Sequence, residues 1–415
     1  MTMKFESLVR IDDLLGEAAC RAWNGFFPSK KGPPPEGPGR ILVSKLRGVG
    51  DVVLALPLLK HLSDSGARVI FLGGEENYRL VRGLAYVDRV YHVNLYTIWR
   101  STRLFTLIGA LRAERITAAI DLTQSSHLAV LVSRLAGIGV RVGFENRNAR
   151  KKAKNGMYTH LVPFHDRRHV GECYFDLLAG LGPAVTAPGR LEPLPLSAVD
   201  RDRAERFLSV RRASRGRLAG VHLSGPLPAK RWPLDRWAGV LDHLVHAGYT
   251  VVAVGLAGES PTIETARSLM TADASRVLNA AGVFDLPGLA ALLARFDFFI
   301  ANDGGPMHMS AAMGVPTIAL FGAEHPTRYA PRNAHSTHLY KAGGLACSPC
   351  ARPYQGSWPT CRDPACLRMI ETGDVLDLLA DYERTYGGRS SRPAPRHPAE
   401  PPHGEAPGFH HHSGL

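Results

Sequence analysis

Asn302-Asp303-Gly304-Gly305-Pro306-Met307-His308 sits between two short apolar runs. The run before it, 296–301, is apolar and aromatic, the composition of a buried parallel strand, and 317–322 reads as the next one. Residues 309–313 carry small side chains and helix formers, and Gly314-Val315-Pro316 ends that element. The order is strand, glycine-rich turn, short helix, strand. In such a unit the turn lies at the carboxyl end of the sheet. The N–H groups of the helix start face outward there, where an anionic ligand is held. Glycines let the backbone come close to a phosphate, and Asp303 and His308 bring two polar side chains to the same place. Glycines alone would serve an unliganded turn equally well; the whole string is harder to explain that way.

The same alternation recurs along the chain. Arg40-Ile41-Leu42-Val43-Ser44-Lys45-Leu46 reads as a first buried strand, Arg47-Gly48-Val49-Gly50-Asp51 as its turn, 52–61 as a helix and 68–72 as a second strand. Strands are expected at 90–93, 118–122 and 140–144, with a helix at 104–112. The Pro- and Gly-rich stretch 180–195 reads as an interdomain boundary. Beyond it the pattern restarts: strand 218–223, loop 224–233, helix 237–246, strand 250–255 and helix 289–294. Two such halves predict an α/β protein of two Rossmann-like domains facing across a cleft. The expected organisation is an extension with an amphipathic helix and a Pro-rich linker over 1–39, domains over 40–185 and 186–386, and a tail over 387–415. That tail is rich in Pro, Arg and His and cannot bury a core, so disorder is expected.

A length of 415 residues, with 45% hydrophobic and 21% charged side chains, fits a soluble two-domain protein. No apolar stretch is long enough to span a bilayer, and the N-terminus has no signal-peptide pattern, so the cytoplasm is the expected compartment. The formal charge of +13 favours anionic partners: nucleotide phosphates, an acidic glycolipid or the inner-membrane surface. There is no zinc finger, RRM signature or basic-aromatic repeat, so nucleic acid is not an expected partner.

In the extension, Leu8, Ile11, Leu14, Leu15, Ala18, Ala22, Trp23, Phe26 and Phe27 fall at helical spacing. Such a helix lies on a membrane surface or docks on a neighbouring domain or subunit. Asp12, Asp13 and Glu17 weaken attraction to anionic lipid and favour docking. Arg147, Arg150, Lys151, Lys152 and Lys154 form a basic run that is ordinarily a solvated face, with a contact to an acceptor phosphate as the alternative.

Gly48-x-Gly50 with Glu75 beyond invites a dinucleotide-binding reading, but the third glycine should fall at Val53 and Asp51 would stand where a pyrophosphate belongs. An acidic residue at a helix start is either a cap or a general base facing the cleft. Lys230, just past a strand end, is placed where an ammonium can neutralise a diphosphate; a surface lysine is the bland reading.

Lys45-Leu46-Arg47-Gly48-Val49-Gly50-Asp51-Val52-Val53, Lys230-Arg231-Trp232-Pro233, Asp303-Gly304-Gly305-Pro306-Met307-His308 and Gly314-Val315-Pro316 occur in this order. Over roughly 40–380 the chain resembles the ADP-heptose:lipopolysaccharide heptosyltransferase family, glycosyltransferase family 9, whose fold is GT-B. The resemblance implies that Asp51 is the general base and that Gly48 and Gly50 form the acceptor-side turn. It implies that Lys230 meets donor phosphate, that Asp303, Gly304, Gly305 and His308 hold the donor, that Glu259 binds the ribose and that Phe284 lines the adenine pocket. Hydroxyl residues precede the family lysine; here Gly225 and Pro226 stand in their place, and Ser224 is the adjacent substitute. The implied donor is ADP-heptose and the implied acceptor a lipopolysaccharide core sugar. Peripheral contact with the inner membrane goes with that acceptor.

The chemistry fits those roles. Asp51 takes the acceptor hydroxyl's proton during attack on the anomeric carbon, and ADP leaves from the opposite face with inversion. A lysine and helix N-terminal amides stabilise the leaving diphosphate, so no metal cofactor is required for turnover. His308 either donates to phosphate or packs beneath the turn. A non-catalytic nucleotide-sugar binder would keep the Asp303 turn without needing Asp51.

Cys347-x-x-Cys350 and Cys361-x-x-x-x-Cys366 gather four of the six cysteines. Such spacing suits a tetrahedral thiolate site for structural zinc or iron, against a plain loop of unligated cysteines. The cluster also resembles the iron-binding cysteines of autotransporter heptosyltransferases, which implies a protein acceptor as the alternative. Cys20 and Cys173 read as ordinary buried cysteines.

Overall fold

The computed structural model describes residues 12–29, 32–33, 37, 39–95, 97–98, 102–124, 126–211, 213, 216–225, 227–351 and 359–386. The tail beyond 386, with its histidine run, lies outside them.

Twelve strands form two all-parallel six-stranded sheets. The first contains β1 (Arg40–Lys45), β2 (Arg68–Gly73), β3 (Arg89–His92), β4 (Ala118–Asp121), β5 (Val140–Phe144) and β6 (His160–Val162), in the order β3-β2-β1-β4-β5-β6. The second contains β7 (Leu218–His222), β8 (Thr250–Ala253), β9 (Val277–Asn279), β10 (Phe298–Asn302), β11 (Thr317–Leu320) and β12 (Thr337–Leu339), in the order β12-β11-β10-β7-β8-β9. In each sheet the order reverses beside the first strand, which opens a crevice at the carboxyl ends of β1 and β7. The strands that the sequence does not announce, β6, β9 and β12, are three residues long and lie at sheet edges, too short and too exposed for an apolar run.

The helix Val49–Asp64 is apolar nearly all round because it is covered on nearly all sides. It packs on its own sheet, on the helix Val170–Asp176 and on the helix Gly305–Ala312 of the second half. One apolar cluster accordingly runs from Val43 and Phe71 through Val52, Val53 and Leu56 into Met307, Met309 and Phe321. The two halves share a core.

Both helices start earlier than their spacing predicts, at Val49 instead of 52 and at Gly305 instead of 309. Pro306 fits in the first turn, where its missing N–H is not needed. Asp51 and His308 are therefore residues of the first turns themselves. The N-terminal helix Glu17–Phe26, preceded by a π-helical turn at Asp12–Gly16, docks on the segment Ala149–Met157, and the turn on the helix Leu128–Leu135. Docking is the expected outcome, but for a different reason: Asp12 and Glu17 are buried against His127. Lys154 departs from the solvated-face reading. It is buried, 3.0 Å from Asp121 Oδ2. Cys20 and Cys173 are fully buried.

Candidate active site

The site lies where the two helix starts meet. Gly48 adopts φ +87°, and a Cβ there would stand 2.5 Å from Asp51 Oδ2, so glycine serves both the turn and the carboxylate beside it. The Asp51 carboxylate lies 3.0 Å from Lys45 Nζ and accepts from Tyr174 Oη and Tyr329 Oη, each at 3.3 Å. Tyr174 belongs to the first half and Tyr329 to the short helix Pro326–Tyr329 of the second. Burial, reinforced by the Asp51 charge, pushes both phenols well above the usual tyrosine range, so both remain donors.

Across the junction, Asp303 Oδ2 lies 2.5 Å from Lys230 Nζ. Burial disfavours the ammonium, yet Asp303, Glu324 and Asp51 outweigh it and hold the lysine pKa above its ordinary value. Asn302, fully buried at the end of β10, pins the loop that carries Lys230. Its Nδ2 donates to Leu223 O at 2.8 Å and Ser224 O at 3.2 Å, and its Oδ1 accepts from Trp232 N at 3.4 Å.

His308 is buried. Desolvation, with Lys230, pushes its pKa down to about 4 against the opposing pull of Asp303 and Asp51, so its ring is neutral near pH 7. Its Nδ1 is buried without a hydrogen-bond partner among the described residues. Glu259, in the loop after β8, accepts from Leu256 N at 2.8 Å and lies 3.5 Å from His222 Nε2. Burial opposes its ionisation, but the nearby His222, the Leu256 N–H and the neighbouring Ser224 bring its pKa down to about 2. His222 ends β7, and its Nδ1 is likewise buried without a partner among the described residues. Glu324 is buried beside this group; desolvation raises its pKa to about 7 although Arg328, at 3.0 Å, and Lys230 counter it.

The structure thus brings together Asp51, Lys230, Asp303 and His308 in one electrostatic network, with Gly48, Gly50, Gly304 and Gly305 in the turns that carry them and Ser224 against Glu259. Phe284 makes other contacts: its ring packs on Phe207, 5.3 Å between centroids, and under the Arg203 guanidinium. Lys45, Tyr174, His222, Glu324 and Tyr329 carry no role in the sequence reading. Lys45, His222 and Asn302 share a usable signal: each is the polar last residue of a buried strand. The tyrosines have none, because only the fold brings them to Asp51.

The four clustered cysteines follow β12 in the chain. Cys366 Sγ lies against Gly322, and burial followed by its neighbours Cys361, Cys350 and Cys347 raises its pKa to about 11. These three thiols therefore lie near Cys366, and among the described residues no three His, Cys, Asp or Glu side chains converge tightly enough to hold a metal ion.

Comparison with known proteins agrees with this fold. The sequence pattern described as "Glycosyltransferase family 9 (heptosyltransferase)" matches residues 104–355, more than half of the chain, including Lys230 and the 303–308 turn. The chain is 26% identical to lipopolysaccharide heptosyltransferase 1 of Escherichia coli K12 over 298 residues, 69% of this chain and 89% of that protein. It is 35% identical to lipooligosaccharide heptosyltransferase 2 of Haemophilus influenzae over 105 residues, 25% of this chain and 30% of that protein. Its fold is similar to the E. coli ADP-heptose LPS heptosyltransferase II structure, with a TM-score of 0.66 at 21% identity, covering 83% of this chain and 99% of that one. Two parallel sheets, facing glycine turns and the matched family pattern identify a GT-B enzyme, and the chain belongs to glycosyltransferase family 9, the heptosyltransferases.

Proposed function

We propose that the chain moves heptose from ADP-heptose to a sugar of the lipopolysaccharide core, with inversion and with Asp51 as general base. The observation that carries this reading is that Asp51, in the first turn of one helix, faces Asp303, just before the start of a helix of the other half and paired with Lys230, close enough for Asp51 to influence Lys230. A base on one wall and a cation on the other is what a direct displacement needs. The relatives' names supply the donor and acceptor classes.

In this reading the second half holds ADP-heptose. The N–H groups at Gly304 and Gly305 and the Lys230 ammonium meet the diphosphate, Glu259 the ribose, Phe284 the adenine, and Ser224 and His308 the phosphate side. The acceptor hydroxyl enters beside Gly48 and Gly50. Its oxygen attacks the anomeric carbon as Asp51 takes its proton, and the bond from that carbon to the diphosphate breaks. Lys230 exchanges part of its contact with Asp303 for the departing charge. Lys45, 3.0 Å from Asp51, holds the carboxylate in place until the acceptor displaces it. No step is assigned to a metal. Turnover takes place at the cytoplasmic face of the inner membrane.

The test supplies purified protein with ADP-heptose and a heptose-deficient core glycolipid, and follows both ADP release and the mass of the glycolipid. Acceptor-dependent release with addition of one heptose supports the reading. Tight ADP-heptose binding without transfer to any core glycolipid would make the chain a nucleotide-sugar binder and overturn it.

A further inference from the structure

The helix Glu17–Phe26 is turned inside out. Its inward face carries the polar groups. Asp12, in the turn before it, accepts from Ser126 Oγ at 2.9 Å and lies 3.0 Å from His127 Nδ1. Glu17 lies 3.0 Å from His127 Nε2, and Asn24 Nδ2 donates to Ala153 O at 2.7 Å. Cys20 fills the apolar gap between them, against Val130, Leu131, Met157 and Tyr158. The fit is close: a Cβ on Gly16 would stand 2.6 Å from His127 Cβ, and one on Gly156 2.4 Å from Asn24 Nδ2. The rotation of the helix is fixed by these contacts.

The outward face is apolar. Leu15, Ala18, Ala22 and Phe26 follow one another at three- and four-residue steps, with Leu14 and Phe27 extending the stripe, and all six are exposed. Leu14 is 72% and Phe26 80% exposed. A helix facing water normally does the opposite, hiding its apolar stripe and showing its charges. Asp12 and Glu17, which would repel an anionic surface, point away from this face. Basic side chains lie in the same region: Arg21 is 69% exposed with its Nε 3.0 Å from the buried Glu17, and Arg147, 64% exposed and 3.8 Å from Glu145, stands just before the segment on which the helix rests. Lys152 is exposed on the segment against which the helix rests. That segment and His127 follow β5 and β4, at the carboxyl side of the sheet from which the Gly48–Asp51 turn also emerges.

We propose that this face is a docking surface for a bilayer with anionic headgroups, its Leu and Phe side chains entering the headgroup boundary and Arg21, Arg147 and Lys152 meeting lipid phosphate. Charge selects lipid over a second copy of the chain. A copy would bring the same basic side chains against its own, whereas an anionic bilayer offers an apolar layer and the opposite charge together. The inference rests on the proposed turnover at the inner membrane and names the surface that makes the contact, and vesicle binding tests it separately from sugar transfer.

The test is flotation of the full-length protein with vesicles of phosphatidylcholine, with and without phosphatidylglycerol. The protein is expected to float with the anionic vesicles and to be released by salt. The double variant Leu15→Glu/Phe26→Glu is expected to lower the bound fraction at least about tenfold. Val199→Glu, at an equally exposed apolar position elsewhere (71% exposed), is expected to leave binding unchanged. Wild-type protein that stays unbound, or a double variant that binds like wild type, overturns the proposal. So does a vesicle-free dimer, seen by light scattering, that the double variant abolishes, because the face would then be covered by a second copy.

Discussion

Gly50 of the first half has no side chain because His308 of the second fills that space: a Cβ on Gly50 would stand 2.7 Å from His308 Cδ2. Beside it a Cβ on Gly305 would stand 3.4 Å from Val49 Cβ. The two helix starts are in direct contact, and this contact sets the distance between the proposed base and donor site. Gly50→Ala should push them apart. Because a displacement of about 1 Å at a reacting centre costs up to roughly a hundredfold, transfer should fall at least about tenfold. ADP affinity, which depends on the second half, should change less than about threefold. Steady-state kinetics beside calorimetric ADP titration checks both.

Asn302→Ala should destabilise the protein and loosen the donor site together. It leaves the buried carbonyls of Leu223 and Ser224 without their side-chain donor, at a cost of about 1–3 kcal/mol. It also releases the loop that holds Lys230. Urea denaturation and ADP titration on the same preparation should show a lowered midpoint and weakened binding; a stability loss with unchanged ADP affinity would show that the loop is held by other contacts.

Lys230→Met leaves Asp303 as an uncompensated carboxylate where the diphosphate is expected. ADP affinity should drop by about a hundredfold, in keeping with the 2–5 kcal/mol typical of breaking a desolvated charge pair. Adding Asp303→Asn should recover part of the thermal stability but not the affinity, since it removes the stranded charge without restoring the cation. Melting curves and ADP titration separate the two effects.

The strand–turn–helix units were legible because buried parallel strands write themselves as continuous apolar runs, and glycines mark the turns between them. Asp51, Lys230 and Asp303 were legible because each follows such a run directly. Tyr174 and Tyr329 reach Asp51 from helices 123 and 278 residues away in the chain, so no local pattern could announce them. The N-terminal helix shows the other limit. Its periodicity was plain, but which face turns inward depends on His127, more than a hundred residues later, whose two ring nitrogens meet Asp12 and Glu17. The basic run misled at Lys154 for the same reason, since Asp121 and Thr123, which bury it, lie in another segment.

The buried His308 makes the fold acid-sensitive. Its folded pKa of about 4, set by desolvation and then modified by its charged neighbours, lies below the 6.5 of an unfolded histidine. As pH falls the unfolded chain takes up the proton first, so stability is full above about 6.5 and is lost on the way down to about 4. His308→Asn removes this contribution. The loss of unfolding free energy between pH 7 and pH 5 should be smaller in the variant by about 2 kcal/mol, measured by urea denaturation at both pH values.

The base assignment is tested most directly by Asp51→Asn, which keeps the side-chain shape and removes the proton acceptor. Acceptor-dependent ADP release from ADP-heptose should fall by at least about a hundredfold, with ADP affinity within about threefold of wild type and the fold intact by circular dichroism. Release within about threefold of wild type in Asp51→Asn would contradict the account, because the proton would then leave by a route that does not involve Asp51.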